Sequence, residues 1–226
     1  MSKSNLAVKE ELENVAAEDV IIINQNEQEN YRPSKDKEIR VNNNLSYLIM
    51  KKIVDIIAGI LGTILLVPLI AVVWFIRICL HENDGPLFFE QIRIGKNGKQ
   101  FRMYKFRTMV MEADEKLYRY LEENPEAKKE YKKYKKLKHD PRITKLGNIL
   151  RKTSLDEFPQ FVNILKGEMS LVGPRPYLYR EKEDLGEYYY NSITKVKPGI
   201  TGYWQVNGRN DVDFEERAYM DTYYIE

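Results

Sequence analysis

Asp156-Glu157 is the strongest concentration of potential chemistry in this chain. The pair lies in Thr153-Ser154-Leu155-Asp156-Glu157-Phe158-Pro159-Gln160, five residues after Arg151. A short helix is expected at Asn148–Lys152, ending in the cations Arg151 and Lys152. Adjacent carboxylates then sit at a helix start after a guanidinium, and helix starts also bind phosphate through free N–H groups and the dipole. The same letters also have a purely structural reading. Ser154 and Glu157 fit a Ser-x-x-Glu capping box. Asp156 at the N-cap would instead keep Pro159 safely in the first helical turn. Capping and phosphate binding both remain open at this level.

Three further sites offer cations in unusual settings. In Gly173-Pro174-Arg175-Pro176, two prolines hold one arginine in extended backbone, which suits either an anion grip or a surface turn. Lys105 and Arg107 stand two apart on a strand and share a face, opposite Tyr104 and Phe106. That face is either solvated or a phosphate contact. Arg209 follows the aromatic stretch Tyr203-Trp204 in a glycine-rich loop. Asp211-Val212-Asp213 has the letters of a D-x-D metal motif, but no nucleotide-binding strand pattern precedes it. One cysteine (Cys79) and two histidines (His81, His139) exclude a disulfide framework and a Cys-based zinc site, and leave little for a histidine metal cage.

The elements that must position these residues fall into three regions. Residues 1–45 form a polar, acidic tail without apolar periodicity, expected to be mobile. Ile56–Ile76 contains no charge over 21 residues, enough for a helix of roughly 30 Å. Lys51, Lys52 and Arg77 flank it, Trp74 stands near its end, and Pro68 interrupts its middle. Basic residues on both flanks do not orient a spanning helix, and a proline-bent helix can return to the face it entered, so both topologies stand. Residues 81–226 read as a mixed α/β domain. Asn97-Gly98 between Gln91–Ile94 and Gln100–Met109 predicts a β-hairpin. Residues 112–139 predict charged helix broken near Pro125, and Lys197–Gly202 predicts a glycine-rich turn.

Composition narrows the classes. The 226 residues carry 36 Lys+Arg against 34 Asp+Glu, a net charge of +2, which disfavours a nucleic-acid binder. With 31% charged residues and a mean hydropathy of −0.54, the chain is not polytopic. The polar opening contains no signal-peptide pattern, so a cytoplasmic address is expected.

Taken together these motifs resemble the bacterial sugar transferases, the monotopic polyprenyl-phosphate phosphoglycosyl transferases. The resemblance runs from Lys51-Lys52 and Asp55 through Gly85-Pro86-Leu87-Phe88-Phe89 and Tyr104–Met109. It continues in Asp140–Thr144, Arg151–Glu157, Ser170–Pro176, Lys197–Gly202, Trp204-Gln205-Val206 and Gly208-Arg209. It implies a helix-rich mixed α/β fold with a small hairpin, a re-entrant membrane helix over 46–80 bent at Pro68, and a cytoplasmic catalytic domain over 81–226. It implies transfer of a phospho-sugar from a UDP-sugar to polyprenyl (undecaprenyl) phosphate with release of UMP, as the first membrane step of exopolysaccharide, capsule or O-antigen synthesis. Mg²⁺ is the implied cofactor, held by Asp156 and Glu157. Asp156 is the implied nucleophile, with Glu157 as metal ligand or base. Arg151 and Arg175, with Lys105, Arg107 and Arg209, are implied phosphate and substrate contacts. The implied setting is the bacterial inner membrane, with membrane lipid as partner, no nucleic acid, and room for a homo-oligomer. One departure stands out: Val67 precedes Pro68 where the family often has serine. The alternative from another class is a membrane-anchored scaffold in which Asp156-Glu157 is only a cap.

Overall fold

The computed structural model describes residues 40–134, 137–207 and 212–225. Helix α1 spans Leu45–Cys79 and continues through Pro68. Asn44 caps it, its side-chain oxygen accepting from the Ser46 N–H at 3.0 Å. Gly59, Gly62, Leu66, Val73 and Arg77 are buried, a spacing of three, four, seven and four that defines one helical stripe. Gly62 is needed there because a methyl group would overlap the Phe161 ring. The remaining faces expose Ile57, Ile60, Leu61, Ile64, Leu65 and Val67, an apolar surface far beyond that of a soluble domain.

The domain grips α1 near both ends. Lys51 Nζ donates to the Val172 carbonyl at 2.7 Å. Asp55 accepts from Ser170 Oγ and the Leu171 N–H, both at 2.8 Å. At the far end Arg77 donates to the carbonyls of Glu82 at 3.0 Å and Asp84 at 2.9 Å.

Strands β1 (Phe88–Ile94) and β2 (Gln100–Phe106) form the expected antiparallel hairpin, in register from Phe88 opposite Phe106 to Ile94 opposite Gln100. Asn97 and Gly98 do take positive φ (59° and 72°), but inside a five-residue loop, 95–99, rather than a two-residue turn. Beyond β2, Met109 makes an isolated bridge to Ile143, so the strand is shorter than its alternation suggests. Helices α2 (Ala113–Glu123) and α3 (Pro125–Tyr134) are divided at Asn124, as proline disfavours helical backbone in the preceding residue.

Helix α4 spans Lys145–Lys152 and starts earlier than the expected Asn148. Two caps explain the extension. Thr144 Oγ1 accepts from the Gly147 N–H at 2.9 Å, and the Glu82 carboxylate accepts from the Lys145 N–H at 2.7 Å and the Leu146 N–H at 3.1 Å. A 3-10 turn at Leu155–Glu157 leads into α5 (Gln160–Leu165). Strands β3 (Ser170–Val172) and β4 (Gly199–Thr201) pair in parallel, connected through α6 (Lys182–Ile193). The expected turn at Lys197–Gly202 is thereby corrected: its glycine is part of a strand. A Cβ at Gly173 would sit 2.6 Å from the Lys197 carbonyl oxygen, so only glycine permits this approach. Helices α7 (Tyr203–Asn207) and α8 (Phe214–Ile225) complete the described chain.

Three apolar clusters hold these elements together. Leu66 and Val73 pack with Phe106, Leu146 and Leu150, joining α1, β2 and α4. Phe101 and Met103 pack with Ile164 and Met169, seating the hairpin on α5. Tyr177, Leu185, Ile193, Ala218 and Ile225 join α6 to α8. The helix-rich mixed α/β architecture with one long apolar helix is as expected; the parallel β3–β4 pair was not foreseen.

Candidate active site

Neither carboxylate of the Asp156-Glu157 pair caps a helix. Ser154 lies in the left-handed region at φ 57° and its side chain makes no capping bond. The Glu157 N–H donates to the Ser154 carbonyl at 3.2 Å, and the segment closes as a 3-10 turn. Pro159, not Asp156, holds the N-cap position of α5. Both capping expectations are corrected, and the two side chains are left for other partners.

Glu157 takes two of them. Its Oε1 accepts from Lys105 Nζ and its Oε2 from Gln160 Nε2, each at 2.8 Å. Lys105 arrives there because Asn163, fully buried on α5, pins β2. Asn163 Nδ2 donates to the Arg102 carbonyl at 2.7 Å and its Oδ1 accepts from the Tyr104 N–H at 3.2 Å. Asp156 is only 8% exposed. Burial pushes its carboxyl above the ordinary range, while the charges of Lys105 and Arg151 pull it back. A carboxylate stripped of water but kept ionic by cations is a good nucleophile.

Arg151 is set by close packing. Gly147 lies so near the Thr108 backbone that a methyl group would overlap its carbonyl oxygen. One turn on, Arg151 Nε donates to Thr108 Oγ1 at 2.9 Å. Burial lowers the Arg151 pKa, and Asp156 and Asp140 oppose the shift. Arg142 contrasts with it. Its guanidinium forms a two-pronged pair with Asp140 at 2.7–3.2 Å, which raises its pKa and occupies it structurally.

Arg175 belongs to a neighbouring cluster. Pro174 is fully buried and its carbonyl accepts from the Gly199 N–H at 2.8 Å, so this segment is an interior loop rather than a surface turn. Asp221, fully buried on α8, braces it: Oδ2 accepts from the Arg175 N–H at 3.1 Å and from Tyr177 Oη at 2.9 Å. Arg175 Nη2 stands 3.5 Å from Glu181 Oε1. Arg93 joins this cluster: its Nη1 donates to the Pro176 carbonyl at 2.9 Å and stands 4.0 Å from Glu181 Oε2.

The other sequence candidates lie elsewhere. Arg107 Nε donates to the Pro86 carbonyl at 2.9 Å, and its guanidinium covers the Phe89 ring at 5.7 Å. Arg209 and Asp211 lie outside the described residues. Asp213 Oδ1 accepts from the Glu216 N–H at 2.8 Å, which makes it a cap for α8. The sequence reading missed Arg93, Gln160, Asn163 and Asp221. Asp221 did leave a signal: with Ala218, Thr222 and Ile225 it shares one helical stripe, where a carboxylate needs a reason.

Burial raises the Asp221 pKa to about 7, against hydrogen bonds from Arg175 and Tyr177. The unfolded chain releases this proton near pH 4 and the folded chain near 7. Its contribution to stability is therefore complete below pH 4 and lost as pH rises towards 7, by about 4 kcal/mol. Asp221→Asn is expected to remove that slope. Thermal melts at pH 5 and pH 8 check it: the variant should gain stability relative to wild type at pH 8.

A family model described as "Bacterial sugar transferase" matches residues 46–226. The chain belongs to that family. Among the relatives of this sugar transferase is the undecaprenyl-phosphate galactose phosphotransferase of Salmonella typhimurium, 45% identical over 193 residues, 83% of this chain and 39% of the relative. The exopolysaccharide production protein ExoY of Sinorhizobium fredii is 42% identical over 181 residues, 79% of this chain and 77% of ExoY. The UDP-glucose:undecaprenyl-phosphate glucose-1-phosphate transferase of Escherichia coli is 37% identical over 185 residues, 78% of this chain and 36% of the relative. The chain thus spans about two fifths of the length of the first and third of these.

Proposed function

We propose that this sugar transferase moves a phospho-sugar from a UDP-sugar to a polyprenyl phosphate such as undecaprenyl phosphate, releasing UMP, as the opening membrane step of exopolysaccharide, capsule or O-antigen synthesis. The observation that carries the reading is Asp156, buried in a 3-10 turn, capping no helix, and next to Glu157, which accepts from Lys105 at 2.8 Å. The names of the relatives support the substrate classes.

In the first step an Asp156 carboxylate oxygen bonds to the sugar-bearing phosphorus. The bond from that phosphorus to the UMP oxygen breaks, and UMP leaves with the electron pair. In the second step an oxygen of polyprenyl phosphate attacks the same phosphorus, and the bond to Asp156 breaks to restore the carboxylate. Lys105 and Arg151 neutralise charge that builds on the phosphoryl oxygens. Arg175 holds a further phosphate oxygen.

Asp156 and Glu157 also fit a Mg²⁺ site. Among the described residues no group of three or more His, Cys, Asp or Glu side chains is gathered. Mg²⁺ needs only one or two carboxylates when substrate phosphates and water complete its six ligands. When bound, the ion would supply further neutralisation of the donor diphosphate.

The active domain works at the cytoplasmic face of the inner membrane, with both ends of α1 on that side. Lys51 bonds the Val172 carbonyl, and Val73, about 33 Å further along the helix, packs in one cluster with Phe106, Leu146 and Leu150, so the same domain holds both ends while the intervening outer faces are apolar. A perpendicular spanning helix would drag that domain through lipid. Cysteines at position 45 and in the catalytic domain should accordingly be labelled from the same side; labelling from opposite sides refutes this topology. Release of UMP from a panel of UDP-sugars, with undecaprenyl phosphate as acceptor, tests the activity. No release with any sugar would favour the anchored scaffold.

A further inference from the structure

Three guanidiniums are gathered beside the loop that carries Arg175. Arg93 comes from β1, Arg175 from the loop after β3, and Arg217 from α8. Arg175 stands close enough to the other two to disfavour their charged forms, and it shares Glu181 with Arg93. Glu181 is a loose partner for both, at 4.0 Å from Arg93 Nη1 and 3.5 Å from Arg175 Nη2. Arg142 shows what a satisfied arginine looks like in this protein, and these three are unlike it.

Their donors are under-used. Arg93 Nη1 donates to the Pro176 carbonyl at 2.9 Å and Nη2 to Gln91 Oε1 at 2.6 Å. Arg217 Nη2 donates to the Val212 carbonyl at 3.4 Å, and its guanidinium stacks on the Trp204 ring at 4.6 Å. The Nε atoms of all three arginines, and Trp204 Nε1, are buried without a hydrogen-bond partner among the described residues. Buried N–H groups without acceptors are rare and costly in folded proteins. The four guanidiniums whose charges meet here, those of Arg93, Arg175, Arg180 and Arg217, outnumber the carboxylates of Glu157, Glu181 and Asp221 whichever way Asp221 is protonated. Excess positive charge with several unmet donors is the complement of a phosphate group, which brings multiple acceptor oxygens and two charges.

We propose that Arg93, Arg175 and Arg217, with the Trp204 indole N–H, form a phosphate-binding centre distinct from the Asp156-Glu157 pair. This rests on the activity proposed above and deepens it. The phosphate it takes comes either from the nucleotide or from the polyprenyl phosphate. The centre holds a phosphate whose phosphorus is not attacked, while Asp156 attacks the one whose phosphorus is. Arg93 and Arg217 thereby join Arg175 as substrate-binding residues.

Trp204 supplies the readout, since the chain has two tryptophans and Trp74→Phe leaves it alone. Full-length Trp74→Phe protein is titrated in detergent with UMP, inorganic pyrophosphate and a short-chain polyprenyl phosphate, following indole fluorescence. Arg93→Gln and Arg217→Gln should each weaken binding of at least one of these by about 10–100-fold. Loss confined to UMP and pyrophosphate assigns the nucleotide phosphate; loss confined to polyprenyl phosphate assigns the lipid. If Arg93→Gln fails to fold for want of its bonds to Pro176 and Gln91, Arg217→Gln carries the test alone. Unchanged affinity for all three probes in folded Arg217→Gln overturns the proposal. Pyrophosphate binding that depends on Arg217, in a protein that turns over no UDP-sugar, would keep the phosphate centre and reject the activity. Normal turnover with unchanged affinities would do the reverse.

Discussion

Asp156→Asn is expected to lower UMP release by about 10⁴-fold or more while leaving the protein folded. An amide oxygen is a far weaker nucleophile than a carboxylate, and its conjugate would leave no route to a stable acyl phosphate. The fold should survive because Asp156 contributes no capping bond, and neutralising a buried carboxylate relieves desolvation. Thermal melting of the purified variant, within a few degrees of wild type, separates lost chemistry from lost structure. Near-normal UMP release by the folded variant would mean that the carboxylate is not the nucleophile. Glu157→Gln should be milder, since Glu157 shares its oxygens with Lys105 and Gln160 and sits beside the reaction rather than at phosphorus.

Arg151→Ala is the next largest expected loss, about 10²–10³-fold in kcat/KM. Arg151 spends one donor on Thr108, and that bond fixes the guanidinium beside Asp156. Arg151→Lys keeps the charge but cannot serve Thr108 and a phosphate with a rigid fork, so it should recover little of the lost rate. Thr108→Val should fall about 10-fold by freeing the arginine to move. Steady-state UMP release with subsaturating UDP-sugar measures all three. A lysine variant at wild-type rate would reduce Arg151 to a point charge.

The legible parts of this protein were those encoded locally. The uncharged run through Pro68 is long enough to name its own environment, and Asn97-Gly98 marked the hairpin because left-handed backbone needs such residues. Helix α4 was misjudged at its start because its cap comes from Glu82, some sixty residues earlier, and no local pattern contains that bond. Strand β4 escaped because it is three residues long and rich in the glycine that close pairing with Gly173 requires. At the site, Asp156, Glu157 and Arg151 were visible as a charged block. Lys105 was visible only as one cation on a strand, because its partner depends on Asn163 pinning β2 to α5. Arg107 sat on the expected face but turned to Pro86, since a two-residue alternation fixes a face and not a neighbour. Arg93 and Arg217 gave no local signal; only the tertiary fold brings the charges of Arg175 and Glu181 to bear on both.

The central claim is that the sugar-bearing phosphate is transiently bonded to Asp156. Intact-protein mass spectrometry after brief mixing with UDP-sugar and Mg²⁺, without polyprenyl phosphate, addresses it directly. The account predicts a wild-type adduct equal to one sugar phosphate, mapping to the peptide with Asp156, discharged by added polyprenyl phosphate and absent from Asp156→Asn. An active enzyme that forms no adduct on any rapid-quench timescale, and releases UMP only when polyprenyl phosphate is present, would contradict it in favour of direct transfer.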